Sequence, residues 1–329
     1  MSQDHPYRRL PIPSDAPFEL RPSSPGKGWG GFATRLIERR DAILVEAPLF
    51  VIPKPSQYIT EEDVIRAFQK LRPSAKQQFL LLRDNADGPF MSMNEAFAEN
   101  SFISPDKSGH GLFLLHSRFN HSCMPNAKVP EYAGNAMTLF ASRDIMAGEE
   151  ITFCYNDDFE CRTRRERHEA LRFTCDCRAC LLGTPFQQLS DIRRTFIRGL
   201  QYLTHGTDID GKRRDSSYPI IADRRLKEAA ETLSIPICNR LIYMLLSMHL
   251  LEEEELLDDF LRERVEPSIV TASSLFETES NIRIVKIVMT QKTWIRKVNM
   301  AFRLYGRADA ADGYLPAALR ALRASSGDL

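Results

Sequence analysis

The segment Asn120-His121-Ser122-Cys123-Met124-Pro125-Asn126 is the stretch that decides how this chain folds. It is a polar turn, and it is followed by a second compact motif, Gly148-Glu149-Glu150-Ile151-Thr152-Phe153-Cys154-Tyr155. Before both lies Lys27-Gly28-Trp29-Gly30, where glycine allows a close approach to the backbone. After both lies Cys175-Asp176-Cys177-Arg178-Ala179-Cys180. Each motif alone is a modest indication of fold and function, but the occurrence of all four in this order is a specific sequence pattern.

The composition is that of an ordinary globular protein with no strong electrostatic preference. The 329 residues are 43% hydrophobic and 27% charged, which provides enough apolar material for a sizeable core. Lysine plus arginine and aspartate plus glutamate each number 44, so the formal net charge is zero. Such a balance disfavours direct binding of nucleic acid. No apolar run reaches the ~20 residues that a membrane-spanning helix needs, so no membrane association is expected.

The first residues are polar and rich in proline and lack the apolar core of a secretory signal. We therefore expect a reducing compartment, the nucleus or the cytoplasm or both. The short basic run Lys212-Arg213-Arg214 is too weak to decide between them.

The pattern along the chain predicts a β-rich first half and a helical second half. Thr60 is expected to cap a helix over residues 60–83, which Pro73 divides in two. Residues 42–52 are dense enough in apolar side chains for a buried strand pair, and short strands are expected from Met91 to Tyr155. The predicted divisions are a tail at 1–17, a β-rich domain at 18–160 with a helical insert at 54–95, a cysteine-rich segment at 161–182 and a helical domain at 183–329.

Further helices are predicted from charge and from apolar spacing. Residues Arg162–Phe173 form a charged helix that leads into the cysteine cluster, and the remaining predicted helices are Ile192–Leu203, Arg224–Leu233, Ile237–Leu251 and Asn281–Leu304. The basic run Arg162–Arg167 and the acidic run Glu252–Glu255 are expected to face solvent.

The cysteine spacing predicts a zinc site. Cys175, Cys177 and Cys180 lie within six residues, and three thiolates so close in sequence can surround a tetrahedral ion. The alternative is three buried or redox-labile thiols. A structural site needs a fourth ligand, and the candidates are Cys123, Cys154, Cys161, Cys238 and His168. Spacing alone does not choose among them.

Together, the four motifs resemble those of the SET-domain protein lysine methyltransferases, closest to the SMYD branch and the fungal SET proteins related to it. The resemblance is strong over residues 18–182 and general over 183–329. It implies an α+β fold: a β-rich SET domain threaded as a pseudoknot, a helical insert, a zinc-binding post-SET segment and an all-helical, TPR-like C-terminal domain. It also implies S-adenosylmethionine as methyl donor, a protein lysine as acceptor and one structural Zn²⁺.

The resemblance assigns roles to individual positions. Tyr155 aligns with the active-site tyrosine, and Cys123 aligns with the fourth zinc ligand beside Cys175, Cys177 and Cys180. The positions that it assigns to the cofactor are Lys27, Gly28, Trp29, Gly30, Asn100, Asn120, His121, Tyr155 and Phe173. Trp29 has a plain alternative as a packing residue.

One departure from the SMYD branch is clear. The SMYD proteins carry a zinc-binding MYND module after the first strands, whereas residues 54–95 of this chain contain no cysteine. Partner recognition through that module is therefore not expected. A protein partner at the helical C-terminal half is expected instead, and the protein is expected to be a monomer.

Two other functions compete with methyl transfer. The first is a catalytically weak SET-fold scaffold that binds partners through its helical half. The second is a zinc-dependent nucleic-acid binder, which the neutral charge and the lack of interleaved basic and aromatic residues disfavour.

Overall fold

The computed structural model describes residues 5–24, 26–84, 87–104, 109–130, 136–171, 173–205, 209, 247–248 and 250–263. The chain divides into two compact units, Met1–Tyr155 and Asn156–Leu329. In the described part, every strand lies in the first unit. No helix among the described residues is both long enough and apolar enough to cross a lipid bilayer.

The first unit is built from three small sheets. The strands are β1 (Phe18–Pro22), β2 (Trp29–Ala33), β3 (Ala42–Glu46), β4 (Phe50–Ile52), β5 (Ser101–Ile103), β6 (His110–Leu112), β7 (Asn120–His121), β8 (Ala127–Lys128), β9 (Met137–Ala141) and β10 (Glu150–Phe153). The sheet orders are β1-β2-β10-β7, β3-β9-β8 and β4-β6-β5. Only the β7–β10 pair is parallel among these pairings.

The core of this unit follows the two-residue period of its strands. In β9 the side chains of Met137, Leu139 and Ala141 are fully buried, while Thr138 and Phe140 are only partly covered. Alternation of this kind places one face of a sheet against the core and the other toward its rim. The core therefore packs on one face of this small sheet.

Residues 42–52 form two strands, as expected, but these strands do not pair with each other. Strand β3 pairs with β9, whereas β4 pairs with β6 in a different sheet. Val45 and Val51 are 61% and 39% exposed, so neither strand is buried on both faces. The prediction of a buried pair was wrong because apolar density does not identify a strand's partner.

Helices α1 (Glu61–Gln69) and α2 (Pro73–Leu80) confirm the predicted helical pair. Thr60 caps α1, and its hydroxyl accepts the backbone N–H of Asp63 while Asp63 accepts the backbone N–H of Thr60. A third helix, α3 (Met93–Asn100), lies where we expected only strands. Ser92 caps it by accepting the backbone N–H of Glu95 at 3.0 Å.

Residues 5–17 are not a free tail. A 3₁₀ turn, Pro6–Arg9, carries Tyr7, and both Tyr7 and Leu10 are at most 5% exposed. The His5 ring stacks on Trp29 with 4.1 Å between centroids. Because proline is compatible with the first turn of such a helix, the prolines here permit local order instead of preventing it.

In the described residues, the second unit is helical. It contains a 3₁₀ turn at Phe159–Cys161, helix α4 (Arg164–Leu171), helix α5 (Pro185–His205) and helical residues at 250–253 and 259–263. The predicted helices at 162–173 and 192–203 are confirmed. Those at 224–233 and 281–304 lie outside the described residues, as does most of 237–251.

Two residues expected at the surface are buried in this unit. Arg167 and Glu254 are both 0% exposed. The Glu254 carboxylate accepts from Arg194 Nε at 3.0 Å and from Ser190 Oγ at 2.5 Å, and Arg194 donates to the Phe159 carbonyl at 2.7 Å. Their partners lie far along the chain, so the local charge pattern did not reveal them.

We predict that Arg194→Met lowers the free energy of unfolding by up to about 3–5 kcal/mol, because it removes the fully buried cation from Glu254 and leaves that carboxylate only its contact with Arg193 at 3.2 Å. The double variant Arg194→Met/Glu254→Leu should recover most of that loss. Arg165→Met, which removes an exposed pair with Glu169, is the control and should change stability by less than about 1 kcal/mol. Urea unfolding followed by circular dichroism checks all three, and an unchanged Arg194→Met midpoint would contradict the prediction.

Candidate active site

The segment Asn120–Asn126 is bound along β10. Asn120 pairs with Thr152 and His121 pairs with Phe153 in a parallel register, and Ser122 N–H donates to the Phe153 carbonyl at 3.1 Å. The motifs Asn120–Asn126 and Gly148–Tyr155 therefore lie side by side.

Asn126 continues this pairing with its side chain. Its Oδ1 accepts the Thr152 N–H at 2.8 Å, and its Nδ2 donates to the Glu150 carbonyl at 2.8 Å. The residue is only 2% exposed. The Asn126 side chain thus makes the two hydrogen bonds that a neighbouring strand would otherwise make, and it satisfies two buried backbone groups of β10.

His121 ties the end of β10 to the loop. Its Nδ1 accepts the Tyr155 N–H at 3.1 Å, so the proton of the neutral ring lies on Nε2. Nε2 is 3.2 Å from Cys123 Sγ, which makes the ring a donor to that sulfur. The two ring nitrogens therefore orient Tyr155 on one side and Cys123 on the other.

The Glu150 carboxylate joins the turn before β2 to the loop that begins at Asn120. Its Oε1 accepts from Ser23 Oγ at 2.7 Å and from Asn120 Nδ2 at 2.8 Å. A Cβ at Gly30 would collide with this carboxylate oxygen. A side chain at position 30 would therefore displace the Glu150 carboxylate from its contact with Asn120.

The other residues of the early turn differ in their surroundings. Gly28 has φ +66°, which favours glycine, and the space beside its Cα is open. Lys27 is half-buried and its N–H donates to Ser24. Trp29 is 9% exposed and stacks on His5, so its ring is a packing element.

The Tyr155 hydroxyl donates to the Phe119 carbonyl at 3.1 Å. Its ring lies 5.1 Å from those of His121 and Phe153, centroid to centroid. Although 44% of the residue is accessible, desolvation of the hydroxyl raises the pKa of Tyr155 to about 12. The phenol therefore keeps its proton at neutral pH and acts as a hydrogen-bonding group.

Asn100 is 1% exposed, and both ends of its amide are bonded. Nδ2 donates to the Ala96 carbonyl at 2.8 Å, and Oδ1 accepts from the Arg118 guanidinium. Arg118 belongs to none of the four motifs, so sequence reasoning did not single it out. Glu150 and Asn126 lay inside quoted motifs, but only the structure shows what they bind.

The second unit contains a cysteine cluster that could hold a metal ion. The sulfur atoms of Cys175, Cys177 and Cys180 lie within 4.8 Å of one another. The buried Arg167 donates to Cys180 Sγ at 3.3 Å and to the Ala179 carbonyl at 3.1 Å. A guanidinium in this position stabilises a thiolate over a thiol. Phe173, two residues before the cluster, is 45% exposed.

The other ligand candidates behave differently. Among the described residues, neither Cys154, Cys161 nor His168 joins a group that could bind metal. Burial raises the pKa of the Cys161 thiol well above its usual range, and that thiol donates to Gln201 Oε1 at 3.1 Å. Cys161 is therefore a buried thiol. Cys123 is 1% exposed at the loop of the first unit, and Cys238 lies outside the described residues.

Comparison with known proteins agrees with this geometry. Residues 28–156 match the SET domain. The histone-lysine N-methyltransferase set5 of Schizosaccharomyces pombe is 32% identical over 177 residues, which cover 52% of this chain and 53% of that protein. The protein-lysine N-trimethyltransferase SMYD5 of Danio rerio is 46% identical over 101 residues, 26% of this chain and 24% of that protein.

A further relative extends the same pattern. The histone-lysine N-methyltransferase SMYD3 of Homo sapiens is 40% identical over 103 residues, 28% of this chain and 23% of that protein. The chain thus spans about half the length, or less, of these relatives. The matches fit a SET-domain, SMYD-like protein with a β-rich fold and helices, which confirms the resemblance predicted from the ordered motifs.

We predict that Asn126→Ala lowers the free energy of unfolding by about 2–4 kcal/mol, since each buried backbone group left unpaired costs about 1–3 kcal/mol. Chemical denaturation measures the change. Asn94→Ala is the matched control and should be close to neutral, because the hydrogen bond of Asn94 to Glu61 comes from its backbone N–H, which alanine keeps. Equal stability of the two variants would show that Asn126 does not hold the loop to β10.

Proposed function

We propose that the SET domain at residues 28–156 makes this chain an S-adenosylmethionine-dependent protein lysine N-methyltransferase. The observation that carries the proposal is the pairing of Asn120–His121 with β10, which brings the candidate cofactor residues next to Tyr155. The names of the relatives support the reaction class, since all three are called lysine methyltransferases.

The substrate in this proposal is a lysine of a histone or of another protein. Two of the three relatives are named for histone lysine and one for protein lysine. A histone substrate would place the protein in the nucleus, and other substrates would be met in the nucleus or the cytoplasm.

The residues of the first unit fit the cofactor. The open space beside Gly28 lets a ligand approach the backbone, and the Asn120 amide lies next to that turn. The proposed contact residues of this unit are Lys27, Gly28, Trp29, Gly30, Asn100, Asn120, His121 and Tyr155. Phe173 of the second unit is proposed from the resemblance alone. His121 uses both ring nitrogens within the protein, so its backbone or ring face would meet the cofactor.

When bound, S-adenosylmethionine supplies a methyl group on a sulfonium. The protein's part is then to align the acceptor nitrogen with that carbon, and alignment alone can account for a large share of a rate enhancement. Tyr155 would orient the amine with its oxygen while donating its own proton to the Phe119 carbonyl. With a pKa of about 12, the phenol does not act as a base at neutral pH.

The acceptor lysine must lose its proton before it reacts. A free lysine has a pKa of about 10.4, so it is almost fully protonated at neutral pH. An aromatic surface formed by Phe153 and Tyr155, whose ring centroids lie 5.1 Å apart, would desolvate the ammonium group and lower its pKa. With the pKa lowered in this way, the ammonium would give its proton to water, and no catalytic base on the protein would be needed.

We also propose one structural zinc at the cysteine cluster. Cys175, Cys177 and Cys180 would provide three thiolates. Cys123, which the resemblance aligns with the fourth ligand, would complete the four-thiolate set that suits Zn²⁺. The Arg167 and His121 donors would offset the negative charge of this set. In this proposal residues 161–182 form the post-SET segment, and the TPR-like region 183–329 of the monomer docks a protein partner.

We predict that Tyr155→Phe lowers methyl transfer about 10²–10³-fold, comparable to the loss of one positioned polar group at other reacting centres. Binding of S-adenosylhomocysteine, measured by calorimetry, should change less than twofold. Transfer is measured with labelled S-adenosylmethionine on a histone panel and on lysate proteins, followed by mass spectrometry of the modified lysines. Wild-type protein that binds the cofactor but labels nothing would instead support a scaffold.

We predict one equivalent of zinc per chain by elemental analysis of the purified protein. Cys177→Ser should lose that zinc because a hydroxyl is a far poorer ligand than a thiolate. Cys161→Ser is the matched control, since Cys161 is a thiol bonded to Gln201, and it should retain the metal. Loss of zinc from both variants, or from neither, would contradict the assignment.

A further inference from the structure

Arg118 is a buried cation in the first unit. It is the last residue of the 3₁₀ turn His116–Arg118, two positions before Asn120, and it is only 8% exposed. Burial lowers the pKa of Arg118, and the nearby Tyr7 and Tyr155 phenols act in the opposite direction. The guanidinium therefore lies in the neighbourhood of the candidate catalytic tyrosine.

The partners of this guanidinium are neutral. Nη2 donates to Asn100 Oδ1 and to Ser117 Oγ, and the guanidinium carbon lies 4.3 Å from the centroid of the Tyr7 ring. Within the part of the chain that the structure describes, Arg118 forms no ion pair, and its buried Nε has no hydrogen-bond acceptor. Neutral contacts hold the group in place but leave its charge uncompensated.

Two acidic side chains, Glu46 and Glu99, act on Arg118 through their charge, but within the described part of the chain neither forms an ion pair with it. Glu46 accepts the backbone N–H groups of Leu114, Leu115 and His116 at 2.8–2.9 Å, and it also contacts the His116 ring at 2.8 Å. The Glu46 carboxylate is therefore hydrogen-bonded to the turn that precedes Arg118, and it forms no ion pair with Arg118. A buried cation without a paired carboxylate is costly, and an anion bound beside it would remove that cost.

The Asn100 amide is held at both ends by bonds within the protein. Its Nδ2 is bonded to the Ala96 carbonyl, and its Oδ1 is bonded to Arg118. The Asn100 amide is thus held by helix α3 through Ala96, and it in turn holds the Arg118 guanidinium. Asn100 is placed to act through Arg118.

We propose that Arg118 binds the carboxylate of the amino-acid part of S-adenosylmethionine, with Asn100 as the residue that positions it. This inference rests on the proposed function and names a cofactor contact that no motif assigned. A guanidinium suits the task, because it offers planar donors that match a carboxylate and keeps its charge when buried. Nε is itself buried, so the donors for the ligand are the terminal guanidinium N–H groups that Asn100 and Ser117 leave free.

Calorimetry with two ligands tests the assignment. S-adenosylhomocysteine carries the carboxylate, whereas 5′-methylthioadenosine has the same nucleoside and thioether but lacks the amino-acid portion. Arg118→Leu should weaken S-adenosylhomocysteine about 10- to 100-fold, the range for a lost charge-assisted hydrogen bond. It should change 5′-methylthioadenosine less than twofold.

Three further variants separate binding from folding. Arg118→Lys should lose less affinity than Arg118→Leu, and Asn100→Ala should weaken only S-adenosylhomocysteine. Arg143→Leu, which removes an exposed arginine paired with Glu149, should leave both affinities unchanged. Thermal melting checks that each variant is folded, and Arg118→Lys carries the test if Arg118→Leu is not.

An equal loss for both ligands in Arg118→Leu and Arg118→Lys would overturn the inference and assign Arg118 to packing on Tyr7. No loss for either ligand would overturn it as well. If wild-type protein binds neither ligand, the proposed function fails instead, so the two failures are distinguishable.

Discussion

The site depends on one constraint, the binding of the loop Asn120–Asn126 along β10. Only two residues of this loop form a strand, so side chains complete the pairing. Asn126 bonds both the N–H and the C=O groups of β10, and His121 takes the N–H of Tyr155. Because these bonds are buried and directional, they fix where Asn120, Cys123 and Tyr155 lie. Without them the two motifs would be two unconnected turns.

Much of the fold could be predicted, because its signals are local or ordered along the chain. The cap at Thr60 and the break at Pro73 act within one helical turn, and both are confirmed. The partners of β3 and β4 and the burial of Arg167 and Glu254 could not be predicted. Each depends on a contact between residues far apart in sequence, such as Arg194 with Glu254, sixty positions away.

The candidate site shows the same division between local and distant information. Sequence motifs identified Asn120, His121 and Tyr155 but not what their side chains bind, since both His121 nitrogens turn inward to Tyr155 and Cys123. Arg118 belongs to none of the motifs, and it is notable only because the fold buries it without an ion pair to a carboxylate. A pKa of about 12 at Tyr155 likewise arises from burial, and it makes the phenol an orienting group, not a base.

A crystal structure of the full chain with S-adenosylhomocysteine tests the central claim most directly. We expect the ligand in the first unit beside the Gly28–Gly30 turn and Asn120, with its sulfur facing Tyr155 and the Asn126 bonds to β10 intact. A ligand bound elsewhere, or a loop that leaves β10 when the ligand binds, would contradict the account.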